Sequence, residues 1–295
     1  MTLSVVIITC NEESNLGRTL TSVQPLVAEG KGEVIVVDSG SADRTLEIAK
    51  AFGAKVFVEP WKGYAAQKNS AIDKATGNWI LSLDADEEAS PDLVAEITEL
   101  FSLPEEKTLQ KLSAGAREAW ITRNCDDFTV HYEDQREGEL AGADISRKNL
   151  FLGRWIRRGG FYPDRKLRLF RRGSAAFENR KVHEDAHTDG LTVHLSSSLI
   201  HHSYPTLSDY IDHMNRYSSL GAEMVADGGP VRFSVIDIVF RPLLTFLYNY
   251  VFRLGLLDGR EGLLLHLYHA VYVSWKYAKA WERSRGKPLP APGDR

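Results

Sequence analysis

Short apolar runs punctuate the first third of the chain, and each ends in polar or turn-forming residues. Residues 3–9, Leu-Ser-Val-Val-Ile-Ile-Thr, are too short and too continuously apolar for an amphipathic helix and predict a buried strand, broken by Cys10-Asn-Glu-Glu-Ser-Asn. Residues 33–37 repeat the pattern and stop at Asp38-Ser-Gly-Ser; residues 55–58 and 79–83 repeat it again, the last entered through Gly77 and running into Asp84-Ala85-Asp86. Helical spacing fills the gaps: Leu16, Leu20 and Val23 in the first, then Leu46, Ile48, Ala49 and Phe52 in the second, then residues 64–75. Ser41 is placed to cap the second helix, with Asp43 in its first turn and Gly53 at its close. A helix over 91–103 follows. Alternating strands and helices, with strands apolar at nearly every position, predict a parallel α/β sheet covered by helices on both faces. Ligands of such sheets bind beyond the carboxyl ends of the strands.

The rhythm then changes. Residues 104–111 read as a charged connection, 118–123 as a strand and 134–147 as a polar loop. Residues 161–172 combine a turn with an alternating basic strand carrying Arg165, Lys166, Arg168, Arg171 and Arg172, suited either to an anionic ligand or to a solvated face. A further strand ends in Leu199-Ile-His-His-Ser-Tyr, and residues 207–226 predict a helix. From Ile236 to Leu254 apolar residues recur at helical spacing beside a thin polar stripe (Asp237, Arg241, Thr245, Asn249, Arg253), with Pro242 marking a kink or a new start. A last helix, 263–281, carries Leu264, Leu267, Tyr268, Val271, Tyr272 and Trp275 on one side and gathers Lys276, Lys279, Arg283, Arg285 and Lys287 at its end. Aromatic and basic residues beside an apolar face suit a helix lying in a membrane interface, or a helical hairpin packed on the domain or on a second subunit as a homodimer contact. The expected organisation is a nucleotide-binding domain over 1–205 and a C-terminal helical, membrane-associating region over 206–295.

Composition narrows the class. The 295 residues are 43% hydrophobic and 26% charged, ordinary globular material, and a net charge of −4 argues against a nucleic-acid partner. Two cysteines, Cys10 and Cys125, make neither a disulfide framework nor a zinc spacing, and a reducing compartment is expected. The N-terminus has no basic region or cleavage site of a signal peptide, and no run of about 18 apolar residues predicts a plain transmembrane helix.

Candidate chemistry collects at the strand ends: Thr9, Asn11 and Glu12 after the first, Asp38 after the second, Asp84 and Asp86 after the fourth. Carboxylates two apart on an extended segment point the same way and repel unless a cation lies between them. A hard divalent ion, Mg²⁺ or Mn²⁺, would relieve them and leave coordination sites for diphosphate; a solvated acidic turn is the plainer alternative. Gly-x-Gly-x-x-Gly and Walker signatures are absent. If the platform serves sugar transfer, Glu184 in Val182-His-Glu-Asp could take the acceptor proton, or else pair with Arg180 or Lys181. His201 is a candidate metal ligand beside Asp86, only one of His201 and His202 being able to face the site.

Four blocks occur in the order found in family 2 glycosyltransferases, the inverting enzymes of GT-A fold: Ser4-Val-Val-Ile-Ile-Thr-Cys-Asn-Glu-Glu, Val36-Val-Asp-Ser-Gly-Ser-Ala-Asp-Arg-Thr, Lys68-Asn-Ser-Ala-Ile and Trp79-Ile-Leu-Ser-Leu-Asp-Ala-Asp-Glu. The chain resembles that family. Gly160-Phe-Tyr-Pro-Asp, Arg168-Leu-Phe-Arg, Val182-His-Glu, His201-His-Ser-Tyr and Leu257-Asp-Gly-Arg-Glu-Gly resemble a narrower group that includes lipopolysaccharide core glucosyltransferases acting on heptose. The resemblance implies a metal-dependent hexosyltransferase using a UDP-sugar donor, with glucose as the sugar, and a lipid-linked saccharide acceptor such as the lipopolysaccharide inner core. A polyprenyl phosphate or other glycan acceptor, or a non-catalytic membrane-bound adaptor, are the alternatives. It further implies that Thr9, Asn11, Glu12, Asp38 and Lys68 hold the nucleotide sugar, that Asp84 faces ribose and metal, and that Asp86 ligates the metal. Glu184 becomes the base, with Asp185 and Asp164 as the other candidates. The expected location is cytoplasmic, peripheral on the inner face of the plasma membrane.

Overall fold

A computed structural model of the chain describes residues 2–102, 140–178, 185–229 and 231–285. It divides into two compact units, residues 1–148 with 164–201, and residues 149–163 with 202–295.

In the first unit β1 (Leu3–Thr9), α1 (Leu16–Val27), β2 (Gly32–Asp38), α2 (Thr45–Phe52), β3 (Lys55–Val58), α3 (Tyr64–Asp73) and β4 (Trp79–Asp84) follow the predicted alternation. The four strands are parallel in the order β3-β2-β1-β4. Leu3, Val5 and Ile7 enter one core cluster with Leu16, Leu20 and Val23 of α1, while Val6 enters another with Ala65, Ala71 and Ile72 of α3. A strand whose alternate side chains both meet helices must be apolar nearly throughout. Each such buried side chain contributes about 1.5–3 kcal/mol over its exposed state.

The sheet continues through β5 (Glu87–Ala89), β6 (Leu140–Phe151), β8 (Asp164–Arg171) and β11 (Leu191–Tyr204), in the order β4-β8-β6-β11-β5, with α4 (Pro91–Ser102) after β5. Only Ala85 and Asp86 separate β4 from β5, yet three strands lie between them in the sheet. A flat sheet would set them about 19 Å apart at ordinary strand spacing. Three peptide units reach only about 11 Å. The sheet therefore curls, bringing β5 and β11 round to the carboxyl end of β4. Two short strands, β9 (Ala176–Phe177) and β10 (Ala186–His187), form a separate ribbon.

Two expectations are corrected here. Residues 140–147, read as polar loop, belong to β6, because its polar residues are paired rather than solvated: Arg147 meets Glu87 and Asp164, and Asp144 meets His194. Gly142 lies so close to β8 that a Cβ would stand 2.8 Å from Leu167 and from the Leu169 carbonyl. α2 starts at Thr45 rather than after Ser41, and Asp43 lies ahead of its first turn, accepting the Thr45 N–H at 3.0 Å. The strand expected over 118–123 lies outside the described residues.

In the second unit the end of β6 pairs with β7 (Arg154–Trp155), and α5 (Leu207–Asp227) starts in a capping box of Thr206 and Asp209. α6 (Arg241–Leu247) is flanked by π-helical turns over Ile236–Phe240 and Tyr248–Phe252; Pro242 falls at the first junction, and Ser274 Oγ donates to the Ile238 carbonyl in the turn before it at 2.8 Å. α7 (Gly259–Ser284) buries Gly262, Leu265, His266, Ala270, Val273 and Ala280. The side with Leu264, Leu267, Tyr268, Val271, Tyr272 and Trp275 is only partly covered, with Leu267 45% exposed. Small residues win the interface because they let helices approach closely; Gly221 of α5 has no room for a Cβ beside Lys276. Two members of the basic cluster are engaged within the unit, Lys279 by Asn215, Ser218 and Ser219, and Arg283 by Glu223. No helix among the described residues is long and apolar enough to cross a membrane.

Candidate functional site

Three loops at the carboxyl ends of β1, β2 and β4 form the site. The first two are laced together. Asp38 is fully buried and accepts from Thr9 Oγ1 (2.8 Å), Gly40 N (2.8 Å), Ser41 N (2.7 Å) and Ser41 Oγ (2.5 Å). Burial would raise its pKa, but these donors hold it below the ordinary carboxylate value. Asn11 takes a left-handed backbone (φ 57°), which Asn tolerates better than most residues. Its N–H donates to Ser41 Oγ at 2.8 Å, and its Oδ1 accepts Ala42 N at 2.8 Å. Glu12 N–H donates to Thr45 Oγ1 at 2.7 Å. The Glu12 carboxyl is raised, first by burial and then by Asp86, Asp43 and Asp84, against an Asn15 hydrogen bond. The parallel pairing of β1 with β4, with Ile8 opposite Asp84, sets these ends at one rim.

The two aspartates after β4 have different surroundings. Asp84 Oδ1 lies 2.6 Å from Lys68 Nζ of α3, and Oδ2 lies 2.6 Å from an Arg168 nitrogen of β8. Burial would raise Asp84, but Arg168 and Lys68 hold it well below its ordinary value. Arg168 also meets Glu87 at 2.6 Å, and Arg147 bridges Glu87 (3.0 Å) and Asp164 (2.6 Å). Glu87, with no exposed surface, further accepts Asp84 N–H at 2.9 Å and so sets the turn. Thr19 of α1 pins the same turn by donating to Ala85 O at 2.6 Å. Three carboxylates and three cations thus neutralise one another, and Asp86 stands apart. Its Oδ2 lies 3.4 Å from His201 Nε2, delivered by the pairing of His201 with Glu87 across β11 and β5. Burial raises Asp86, and His201 more than offsets it.

The structure therefore gathers Glu12, Lys68, Asp84, Asp86 and His201 at the rim, with Thr9, Asn11 and Asp38 building its floor. Glu184, with His183, lies outside the described residues. Asp185 pairs with Lys166 at 2.6 Å, and Asp164 is held by Arg147. Sequence reasoning placed Arg168 in a basic strand of open purpose; it is 4% exposed and serves the carboxylates. Glu87 and Arg147 were not anticipated. A Glu directly after Asp-x-Asp was the available signal for the first, and nothing in a polar stretch marked the second.

Residues 4–110 match the sequence profile described as "Glycosyl transferase family 2". Over those residues the chain is similar to glycosyl transferase family 2. It is 28% identical over 98% of its length to the lipopolysaccharide core biosynthesis glycosyltransferase LpsC of Rhizobium meliloti, covering 95% of that protein. It is 47% identical over 100 residues to a glycosyltransferase of Rickettsia felis, a match spanning 34% of each chain. Among solved structures, glucosyl-3-phosphoglycerate synthase from Mycobacterium tuberculosis, in complex with Mn²⁺, UDP and glucosyl-3-phosphoglycerate, is 32% identical over 29% of this chain and 34% of that one, with a TM-score of 0.27. The chain thus spans about a third of the length of these last two relatives.

The donors at the rim decide whether a divalent ion fits there. No group of three or more His, Cys, Asp or Glu side chains fit to hold a metal occurs among the described residues. Asp84 has both oxygens engaged by Lys68 and Arg168, and an Asp86 oxygen faces the His201 Nε2 beside it. Two protein donors suit an ion that keeps most of its coordination for water and phosphate oxygens.

Proposed function

We propose that the chain is an inverting, metal-dependent hexosyltransferase, moving glucose from UDP-glucose to a hydroxyl of a lipid-linked saccharide of the lipopolysaccharide-core type. The observation that carries this reading is the pairing of Asp86 with His201 beside the neutral cluster around Asp84. The family 2 match supports the transfer class, and similarity to LpsC along 98% of the chain supports the acceptor class. The enzyme works at the cytoplasmic face of the membrane, where such acceptors are built.

The buried loop of Asp38 and Ser41, with Glu12 and Asn11 above it, forms the seat for uridine. Lys68 and Arg168 hold Asp84 ionised and turned inward, so that Asp86 and His201 are left to hold Mg²⁺ or Mn²⁺. When bound, that ion neutralises the diphosphate as negative charge develops on it. The acceptor oxygen gives its proton to Glu184 and forms the new bond at the anomeric carbon, as the bond to the diphosphate breaks on the opposite face. Asp164 and Asp185, both in ion pairs, are less free for that role.

Calorimetry with a panel of nucleotide sugars, with Mn²⁺ and with chelator, tests the reading. Mn²⁺-dependent binding of UDP-glucose, lost in Asp86→Ala, is expected. Absence of binding to any nucleotide sugar under both conditions would leave a non-catalytic adaptor, and a product that keeps the donor's anomeric configuration would overturn the mechanism.

A further inference from the structure

The second unit carries an apolar face that its own packing does not use. In and around α6, Phe252 is 76% exposed, Ile236 68% and Leu244 64%; Phe240, Val239 and Leu243 are each half exposed or more. These positions follow one another at helical spacing, and Leu257 continues the surface into the turn before α7 at 55% exposure. Soluble proteins rarely leave so continuous an apolar surface open without a partner for it.

The charges around this face have one sign. From residue 231 to residue 267 the exposed charged residues are Arg232, Arg241, Arg253 and Arg260. Every acid in the same stretch is engaged inside the unit. Asp237 pairs with Arg241 at 2.7 Å, and Glu261 lies 3.5 Å from Arg154. Asp258, 3% exposed, accepts the backbone N–H groups of Arg157 and Arg158. Tyr248, 57% exposed, adds an aromatic ring of the kind favoured at headgroup depth. An apolar strip rimmed by guanidinium groups, with no free carboxylate, complements an anionic lipid surface. A second copy of the chain is the poorer fit, since a self-paired face would bring its own arginines together.

We infer that this face, centred on α6 and its two π-helical turns, docks the enzyme on the surface of a membrane containing anionic lipids. The apolar side chains enter the acyl boundary, and Arg232, Arg253 and Arg260 meet phosphate groups. No helix among the described residues of the unit has the length and apolarity to span, and the docking inferred is in the plane of the interface. The inference deepens the reading of a lipid-linked acceptor and names the surface that would reach it.

The test is flotation of the full chain with vesicles of phosphatidylcholine alone and of phosphatidylcholine mixed with phosphatidylglycerol, alongside UDP-glucose calorimetry and sedimentation velocity. Binding to the mixed vesicles, weakened by salt, is expected. The double variant Arg232→Gln/Arg260→Gln should partition roughly 25-fold less, about fivefold for each charge. Phe252→Ser/Leu244→Ser should abolish flotation on both vesicle types. Both pairs are exposed, so circular dichroism should report an unchanged fold. Failure of the parent protein to float, or equal flotation of the parent and both variants, would overturn the inference. So would a dimer in sedimentation that Phe252→Ser/Leu244→Ser dissociates while vesicle binding is absent, because the face would then be a subunit interface. Calorimetry separates this outcome from failure of the transferase reading, since neither variant touches the donor site.

Discussion

At the scale of single residues, Asp86 and His201 stand out in the sequence as candidates because each closes an apolar run, and strand ends of a parallel sheet are where ligands collect. Their partnership depends on the β5–β11 pairing, which joins residues more than a hundred positions apart and leaves no local trace. His201→Ala should weaken Mn²⁺-dependent UDP binding by more than the ~10–100-fold that outer-shell partners of metal ligands cost, and leave metal-free binding unchanged. Equal loss with and without Mn²⁺, measured calorimetrically, would mean that His201 only supports the fold. Arg168 was visible as a charge but not as a buried one, since its burial is decided by Asp84 and Glu87 on other strands. Removing one partner of a buried ion pair leaves the other uncompensated, so Arg168→Met should cost about 3–5 kcal/mol in urea unfolding. A loss under ~1 kcal/mol would show that Arg147 and Lys68 suffice for the two carboxylates.

At the scale of elements, β1 to β4 and α1 to α4 were readable because their burial is set by neighbours close in sequence and by one physical signal, continuous apolarity against period 3.6. β6 was not, because it substitutes small residues and paired charges for that signal. Ala141, Gly142 and Ala143 in β6 carry little hydrophobicity, yet they allow the close approach to β8 that a larger strand would forbid. Gly142→Ala therefore forces a Cβ against Leu167, the Leu169 carbonyl and Phe170, at 2.8–3.0 Å, where backbone blocks an easy escape. Overpacking of this kind costs about 1–3 kcal/mol. A thermal melt matching the parent's would show that β6 can shift without loss. α7 relies on small residues in a related way, packing through Gly262, Ala270 and Ala280 and leaving Leu263 and Leu267 on the open surface.

At the scale of the whole molecule, the two units should answer acid differently. In the first unit the shifted carboxyl groups mostly lie low. Burial raises Glu33, but Lys55, Ser4 and Thr76 hold it at about 2, and Lys62, Lys74 and Ser70 hold Glu59 at about 2. A carboxyl held below its unfolded value of about 4.5 keeps its stabilising effect until the pH falls below that value, and loses it toward 2. Glu12, raised by burial, acts in the opposite direction and gains on acidification. The second unit holds His269, driven by burial, with His266 and Lys276, from 6.5 to about 4, and His266 is lowered by its own burial. Between pH 6.5 and 4 the unfolded chain takes up the His269 proton and the folded chain does not, so stability falls as the pH falls. The slope is up to ~1.4 kcal/mol per pH unit for each such group. Hydrogen exchange at pH 7 and pH 5, corrected for intrinsic rates, should show α5 and α7 losing protection while β1 and β4 keep theirs. His269→Phe should remove most of that difference, because the aromatic ring can keep the contacts with Phe161 and Tyr272 and carries no titrating nitrogen. Equal loss of protection in both units, or a difference untouched by His269→Phe, would place the acid sensitivity elsewhere.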